Sequence, residues 1–313
     1  MCKGAPVRVI VIGVFDGVHR GHQALVARAA AAAQGGEVIV VTFDPHPMQV
    51  LRPGSAPPLL SSLDYRRQLL AEAGAGEVQV IDFTPEFSKK TPEDFVDFML
   101  DDLLEGRPVD VVVAGSNFRF GRGAAGDTDT LAQIGRTRGF EVDVVPLMTE
   151  EVPGEGEVTW SSTYVREHLA LGDVRRATHV LGRFHRVAGV VVHGAKRGRE
   201  LGYPTANVEQ HAPSLTPADG VYAGWLRDGD AVYPAAISVG TNPQFAGDVR
   251  TVEAFCIDQG DLDLYGHHVV VEFVDRLRGQ QVFAGIPELV EQMGNDVAAA
   301  RRILAAESPP EQG

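Results

Sequence analysis

The hydrophobic texture of the chain changes once, near residue 182, and no single sheet architecture accommodates both sides of the change. Before it, nearly unbroken Val/Ile runs alternate with longer segments of helical composition. Strands are predicted at 7–14, 38–43, 78–83, 109–114 and 141–147. Between them the pattern predicts an alanine-rich helix at 21–34, a helix at 63–73 capped by Ser62, and one opened by Thr91 and Pro92 in "TPEDFVDFMLDDLL". A further helix at 128–137 is capped by Asp127, and two short closing helices cover 162–169 and 174–181. Strands that are apolar along their whole length are buried on both faces, which implies a doubly wound parallel sheet with helices on each side.

Beyond residue 183 the apolar runs become short ("AGVVVHG", "VYAGWL", "YPAAISVG", "TVEAFCI", "HHVVVEFVDRL") and are separated by Gly, Pro and Asp. That is the pattern of an antiparallel β-barrel or sandwich. A last helix is predicted at 288–304, after Pro287, with the tail "ESPPEQG" disordered. At 313 residues the chain exceeds what one core usually organises. The α/β class therefore divides into an N-terminal parallel-sheet domain, 1–182, and a C-terminal antiparallel β domain, 183–313.

The formal net charge of -14 argues against a general nucleic-acid binder, because an acidic surface repels a phosphate backbone. Any phosphate-bearing ligand must be held by a few local cationic or backbone groups. The two cysteines, Cys2 and Cys256, form no disulfide framework and match no zinc spacing. The apolar run near the N-terminus is too short for a membrane span, and no small-residue cleavage site follows it. A cytoplasmic protein without nucleic-acid or membrane partners is expected, and an oligomer remains open.

In open parallel sheets, ligands sit beyond the carboxyl ends of the strands. "GVFDGVHRGH" occupies that place after the first strand, with His19 and His22 at the mouth of the alanine-rich helix. Helix starts favour anions, and two imidazoles there can donate to phosphate oxygens and stabilise charge at a phosphorus under attack. Two surface histidines on a helix turn, or a zinc site lacking its other ligands, are the competing explanations. In "WSSTYVREHL", Ser161, Ser162 and Thr163 are cap candidates, and Arg166, unfavourable at a helix start, makes sense beside an anion. "TFDPHP" puts His46 in a rigid turn that turn chemistry alone could explain. "GRGAAG" (121–126) matches a dinucleotide fingerprint, but "SNFRF" separates it from its strand, so it is expected to be a flexible loop over the site.

In the second half, "HGAKRGRELGYPTANV" joins a basic, glycine-loosened stretch (Lys196, Arg197, Arg199) to a turn presenting Thr205 and Asn207. Hydroxyl and amide oxygens suit a hard cation such as Mg²⁺ completed by water and substrate phosphates; a solvated polar turn is the plain alternative. Glu253 sits in the apolar "TVEAFCI". If the strand alternates, it shares a face with Thr251 and Phe255, opposite Val252 and Ala254, and is either a functional buried carboxylate or a solvent-facing one.

The order G-x-F-D-G-x-H-x-G-H, T-F-D-P-H-P, G-S-N-F-R-F-G and S-S-T-x-x-R resembles the nucleotidylyltransferase module of bacterial bifunctional riboflavin kinase/FAD synthetases. G-R-F-H-x-V-x-G, L-G-x-P-T-A-N, D-G-V-Y, G-T-N-P and T-V-E resemble that family's riboflavin kinase module, a small Greek-key barrel. The resemblance implies that ATP phosphorylates riboflavin to FMN in the barrel, and that the first module adenylylates FMN to FAD with a second ATP. It further implies that His19, His22 and Arg166 hold ATP phosphates and that Asn117 positions substrate. In the barrel it assigns Thr205 and Asn207 to Mg²⁺ and ATP, and Glu253 to the base. Gln244, in "GTNPQF", departs from the small hydroxyl residue expected there. An adenylyltransferase for another cofactor precursor would leave the P-T-A-N to Glu253 module unexplained. A flavin sensor with a decayed site would leave the intact site residues unexplained.

Overall fold

A computed structural model of the protein describes residues 6–194, 201–210, 214–241, 250–260 and 262–309. Lys196, Arg197, Arg199, Gln244, Cys2 and the last four residues of the tail lie outside the described residues. The chain divides into two compact units, Met1–Ser162 and Thr163–Gly313.

The first unit is built on five parallel strands, β1 (Arg8–Ile12), β2 (Glu37–Asp44), β3 (Glu77–Asp82), β4 (Val111–Gly115) and β5 (Glu141–Val145), in the order β3-β2-β1-β4-β5. Alternate residues feed two cores. Ile10, Ile12, Ile39, Val41 and Ile81 pack with Phe95, Met99 and Leu131. Val9, Val11, Val38 and Val40 pack with Val26, Ala29 and Leu70 on the opposite face. The continuous Val/Ile runs thus serve both faces of one sheet, as expected of a doubly wound fold.

The covering helices follow their caps. They are α1 (Arg20–Ala33), the short α2 (Pro47–Leu51), α3 (Leu63–Glu72), α4 (Pro92–Asp97) and α5 (Thr128–Arg138). Ser62, Thr91 and Asp127 each accept a backbone N–H from the first turn, at 3.3, 3.1 and 2.9 Å. The helix opened by Thr91 does not stay α-helical as its sequence suggests; it widens into a π-turn at Phe98–Leu103. A hairpin of β6 (Thr149–Val152) and β7 (Gly156–Thr159) follows β5.

In the second unit, α6 (Ser162–Leu171, beginning at the boundary residue) and α7 (Val174–Leu181) lead into a closed antiparallel barrel. Its strands are β8 (His185–Val192), β9 (Ala206–Glu209), β10 (Gly220–Asp228), β11 (Ala231–Thr241), β12 (Arg250–Cys256) and β13 (His268–Arg278). Closure runs β10-β11-β12-β9-β8-β13 and leaves no open edge. The final helix, α8 (Ile286–Leu304), lays Ala300 and Leu304 against Ala223, Trp225 and Val274. Arg278 binds the buried Asp296 with Nε at 3.0 Å and Nη2 at 2.7 Å, fastening α8 to the end of β13. Arg175 pairs with Asp275 at 2.8 Å, and the Ala218 N–H donates to the Leu169 carbonyl, so both helices preceding the barrel are anchored to it.

Candidate active sites

β1 lies between β2 and β4, so the chain leaves the first strand at the point where strand order reverses. The loop there is held in a costly conformation: Phe15 has φ 55° and Val18 φ 37°, and both are fully buried. Asp16 anchors it from inside, its carboxylate accepting the N–H groups of Leu60 at 3.0 Å and Ser61 at 3.2 Å. His19 is the N-cap residue of α1, in extended conformation and without using its side chain as a cap. Its ring stacks on that of His22 with centroids 3.7 Å apart, and Phe15 meets His22 edge-on at 5.1 Å. Gly21 gives this stack its room, because a Cβ there would lie 3.0 Å from the His19 ring. The two imidazoles are thus brought together at a helix start, where the first N–H groups point outward.

The other predicted residues of this half take different positions. Ser162 does not cap with its hydroxyl; it donates to the Asp16 carbonyl at 2.8 Å and so holds the loop that follows β1. Arg166 is the fifth residue of α6, past its first turn, and is half-buried. Asn117 is exposed in the turn that leaves β4. His46 is the N-cap of α2, where its Nδ1 accepts the Met48 N–H at 3.1 Å in a reciprocal box with Gln49. The "GRGAAG" segment closes on itself, Phe120 and Gly126 exchanging N–H···O bonds at 3.0 and 2.9 Å. A Cβ on Gly121 would strike Pro92 and one on Gly126 the Phe120 ring, so packing explains those glycines.

In the barrel, pairing places Asn207 opposite Glu253 and Glu253 opposite Ser238 across β9, β12 and β11. Along β12, Val252, Ala254 and Cys256 are buried while Thr251, Glu253 and Phe255 are half-buried, as alternation predicts. The Thr205 hydroxyl donates to Glu253 Oε2 at 3.4 Å. Burial raises the Glu253 carboxyl above its usual range, and this hydrogen bond pulls the other way. A cavity opens on the opposite face of the strand, lined by Thr205, Asn207, Ala254, Cys256, Leu264 and Tyr265. Glu253 is not part of its wall. Thr205 and Asn207 therefore stand at the seam between this cavity and a carboxylate. A Cβ on Gly194 would lie 2.4 Å from the Asn207 amide, so this glycine leaves the space the amide occupies. Burial pushes the Cys256 thiol up to about 11, which makes it an inert wall.

Comparison with known proteins sets these sites in a family. The FAD synthetase family profile matches residues 3–159, and the riboflavin kinase family profile residues 181–304. A bifunctional riboflavin kinase/FMN adenylyltransferase of Escherichia coli (strain K12) is 34% identical over 304 residues, covering 96% of this chain and 94% of its own. The chain belongs to the bifunctional riboflavin kinase/FMN adenylyltransferase family. Relatives of the same name from Pseudomonas fluorescens and Bacillus subtilis (strain 168) are 37% and 32% identical. They cover 95% of this chain in each case, and 93% and 92% of their own lengths. A solved structure described as a macrolide-efflux protein from Streptococcus pneumoniae superposes with a TM-score of 0.82 at 30% identity, covering 96% of this chain and 95% of that one. The protein is a bifunctional enzyme, a riboflavin kinase and an FMN adenylyltransferase, whose substrates are riboflavin, FMN and ATP. Among the described residues no helix is long and apolar enough to cross a membrane.

Two contributors to the first site escaped sequence reasoning. Asp16 lies inside the G-x-F-D-G signature, but nothing in its type distinguishes a buried anchor from a solvent-facing acid. Arg66 is 1% exposed and bonded to the ends of β1 and β2, yet in "LDYRRQLLAE" it looks like its exposed neighbour Arg67.

Proposed function

We propose that the histidine pair at the start of α1 serves adenylyl transfer and the barrel serves the kinase reaction, and that the Thr205–Glu253 contact carries the kinase assignment. Riboflavin approaches Glu253 on one face of β12, while ATP occupies the cavity on the other. Thr205 and Asn207, at the seam, are where the transferred phosphoryl group passes. Their hydroxyl and amide oxygens have the donor chemistry of a hard divalent cation, and Gly194 leaves the amide room to turn toward one. Mg²⁺ bound there would neutralise charge on the ATP phosphates. Glu253 accepts the riboflavin hydroxyl proton as the new O–P bond forms and the bond to ADP breaks; its burial makes it a stronger base than an exposed carboxylate.

In the first unit, a phosphate oxygen of FMN attacks the α-phosphorus of a second ATP, and the bond to pyrophosphate breaks. His19 and His22 donate to the phosphate oxygens at the start of α1, and Asn117 orients FMN at the exit of β4. These groups act by position and charge alone, which suffices for a loose transition state. Phe83, Phe87 and Phe118, only partly buried beside the same core, supply flat apolar surface for the flavin ring. ATP dependence favours a cytoplasmic setting.

Glu253→Gln tests the kinase assignment. It keeps shape and one acceptor but removes the base. Riboflavin phosphorylation is expected to fall roughly a hundred- to ten-thousand-fold, while added FMN is still converted to FAD. A Gln variant that forms FMN within a few-fold of the parent rate makes Glu253 structural.

A further inference from the structure

Among the described residues Arg66 is the largest fully buried side chain, and its position follows from the way β1 and β2 part. β1 and β2 pair from Arg8↔Glu37 to Ile12↔Val41, and the last backbone bond between them runs from the Gly13 N–H to the Val41 carbonyl at 3.1 Å. Beyond it the two chains part, one toward His19 and His22, the other toward His46. Arg66, from the first turns of α3, fills the opening. Its Nη1 lies 3.0 Å from the Val14 carbonyl, 2.9 Å from the Phe43 carbonyl and 3.3 Å from Thr42 Oγ1. Nη2 reaches Asp44 Oδ1 at 3.5 Å. Thr42 Oγ1 in turn donates to the Val14 carbonyl at 2.9 Å. The same stretch that leads into α3 is gripped by Asp16 through Leu60 and Ser61. The contacts close a ring: Val14 to Arg66, back along the chain to Ser61, and across to Asp16.

A buried cation is expensive, and burial lowers the Arg66 guanidinium despite Asp16 and Asp44 nearby. Strand ends can be tied by backbone or neutral groups, so packing alone does not call for a charge here. What the planar guanidinium supplies is a rigid, multi-acceptor link between two backbones at the point where they separate.

We propose that Arg66 is a positioning residue for adenylyl transfer: it fixes where β1 and β2 part, and so sets the direction in which the loop presents His19 and His22 to the ATP phosphates. This rests on the reading of the histidine pair as the adenylyl-transfer site. Arg66 touches neither substrate nor either imidazole in any contact described above, so it acts through Val14 and the loop.

The test uses the full-length enzyme and measures FAD formation from supplied FMN and ATP for Arg66→Lys, Arg66→Met, Thr42→Val and His22→Ala. Riboflavin phosphorylation in the same samples is the reference. Each variant is assayed well below its unfolding midpoint, where it is fully folded. Misplacement of catalytic groups by about an ångström costs on the order of a hundredfold. Arg66→Lys is expected to lower kcat for FAD formation about ten- to a hundredfold, with KM for ATP and FMN within about threefold. Arg66→Met is expected to lose more, which makes Lys a partial rescue. Thr42→Val removes the hydroxyl from the same link at little cost in volume, and it carries the test if the arginine variants do not fold. It is expected to lose about three- to tenfold, less than additively with Arg66→Lys. FMN formation stays at the parent level in all of them. Folded Arg66→Lys and Thr42→Val with parent kcat, beside an inactive His22→Ala, overturn the proposal alone. Parent-like FAD formation by His22→Ala overturns the histidine reading and the proposal with it.

Discussion

The two units build their sites in opposite ways. In the first, His19 and His22 arrive together on one loop and helix start, and the sheet's task is to aim that loop. In the second, Thr205, just before β9, and Glu253, within β12, meet only because β9 pairs with β12 in one register, Asn207 opposite Glu253. A slip of one residue in that register would turn Glu253 toward the barrel interior. The histidine pair of the parallel-sheet unit is local in sequence and depends on the supports beneath its loop. The barrel site is dispersed in sequence and depends on strand pairing.

The sharpest separation should come from His22→Ala. Loss of one preorganised donor costs on the order of a hundred- to a thousandfold, so FAD formation from supplied FMN should fall by that factor while riboflavin phosphorylation is spared. Equal loss of both activities would show that the sites do not fail separately and would break the contrast.

A moderate effect is expected from where the barrel is cut. The family profile for the kinase begins at residue 181, but the compact unit begins at Thr163, and α7 buries Val174, Ala177, Val180 and Leu181. A fragment of residues 163–313 should fold and phosphorylate riboflavin. A fragment of 183–313, lacking those side chains, should melt at least about 5 °C lower. Equal midpoints would make the two helices a linker rather than part of the barrel's support.

The smallest expected effect is a displaced acid limb. An exposed glutamate titrates at about pH 4.3, and burial holds Glu253 above that. Protonated Glu253 cannot accept the riboflavin proton, so kinase turnover should decline on acidification at a pH above the ordinary glutamate range. Profiles of kcat against pH for the parent and Glu253→Gln check this; the residual activity of the variant should lack that limb.

Legibility from sequence followed the same divide. The parallel strands, the caps Ser62, Thr91 and Asp127, and the histidine pair were readable because each signal is local: an apolar run, a cap, a motif. The alternation along "TVEAFCI" placed Glu253 on the correct face, but its contact with Thr205 depends on a strand pairing that no local pattern records. The β6–β7 hairpin was missed because "TEEV" and "GEVT" carry too few apolar residues to show a period. Ser162 was expected to cap, and instead bonds the Asp16 carbonyl, since a hydroxyl suits either partner. Arg66 was invisible for a stronger reason: a charged residue beside another charge on a helix predicts solvent, and only the parting of β1 and β2 gives it a buried task.

The central claim, two sites that fail separately and exchange a diffusible product, is tested most directly by mixing two defective enzymes. Glu253→Gln alone, given riboflavin, ATP and Mg²⁺, should yield neither FMN nor FAD at the parent rate. His22→Ala alone should stop at FMN. Combined, they should make FAD, because FMN released by one is adenylylated by the other. A mixture that accumulates FMN without FAD, although the Glu253→Gln protein converts supplied FMN, would contradict the account.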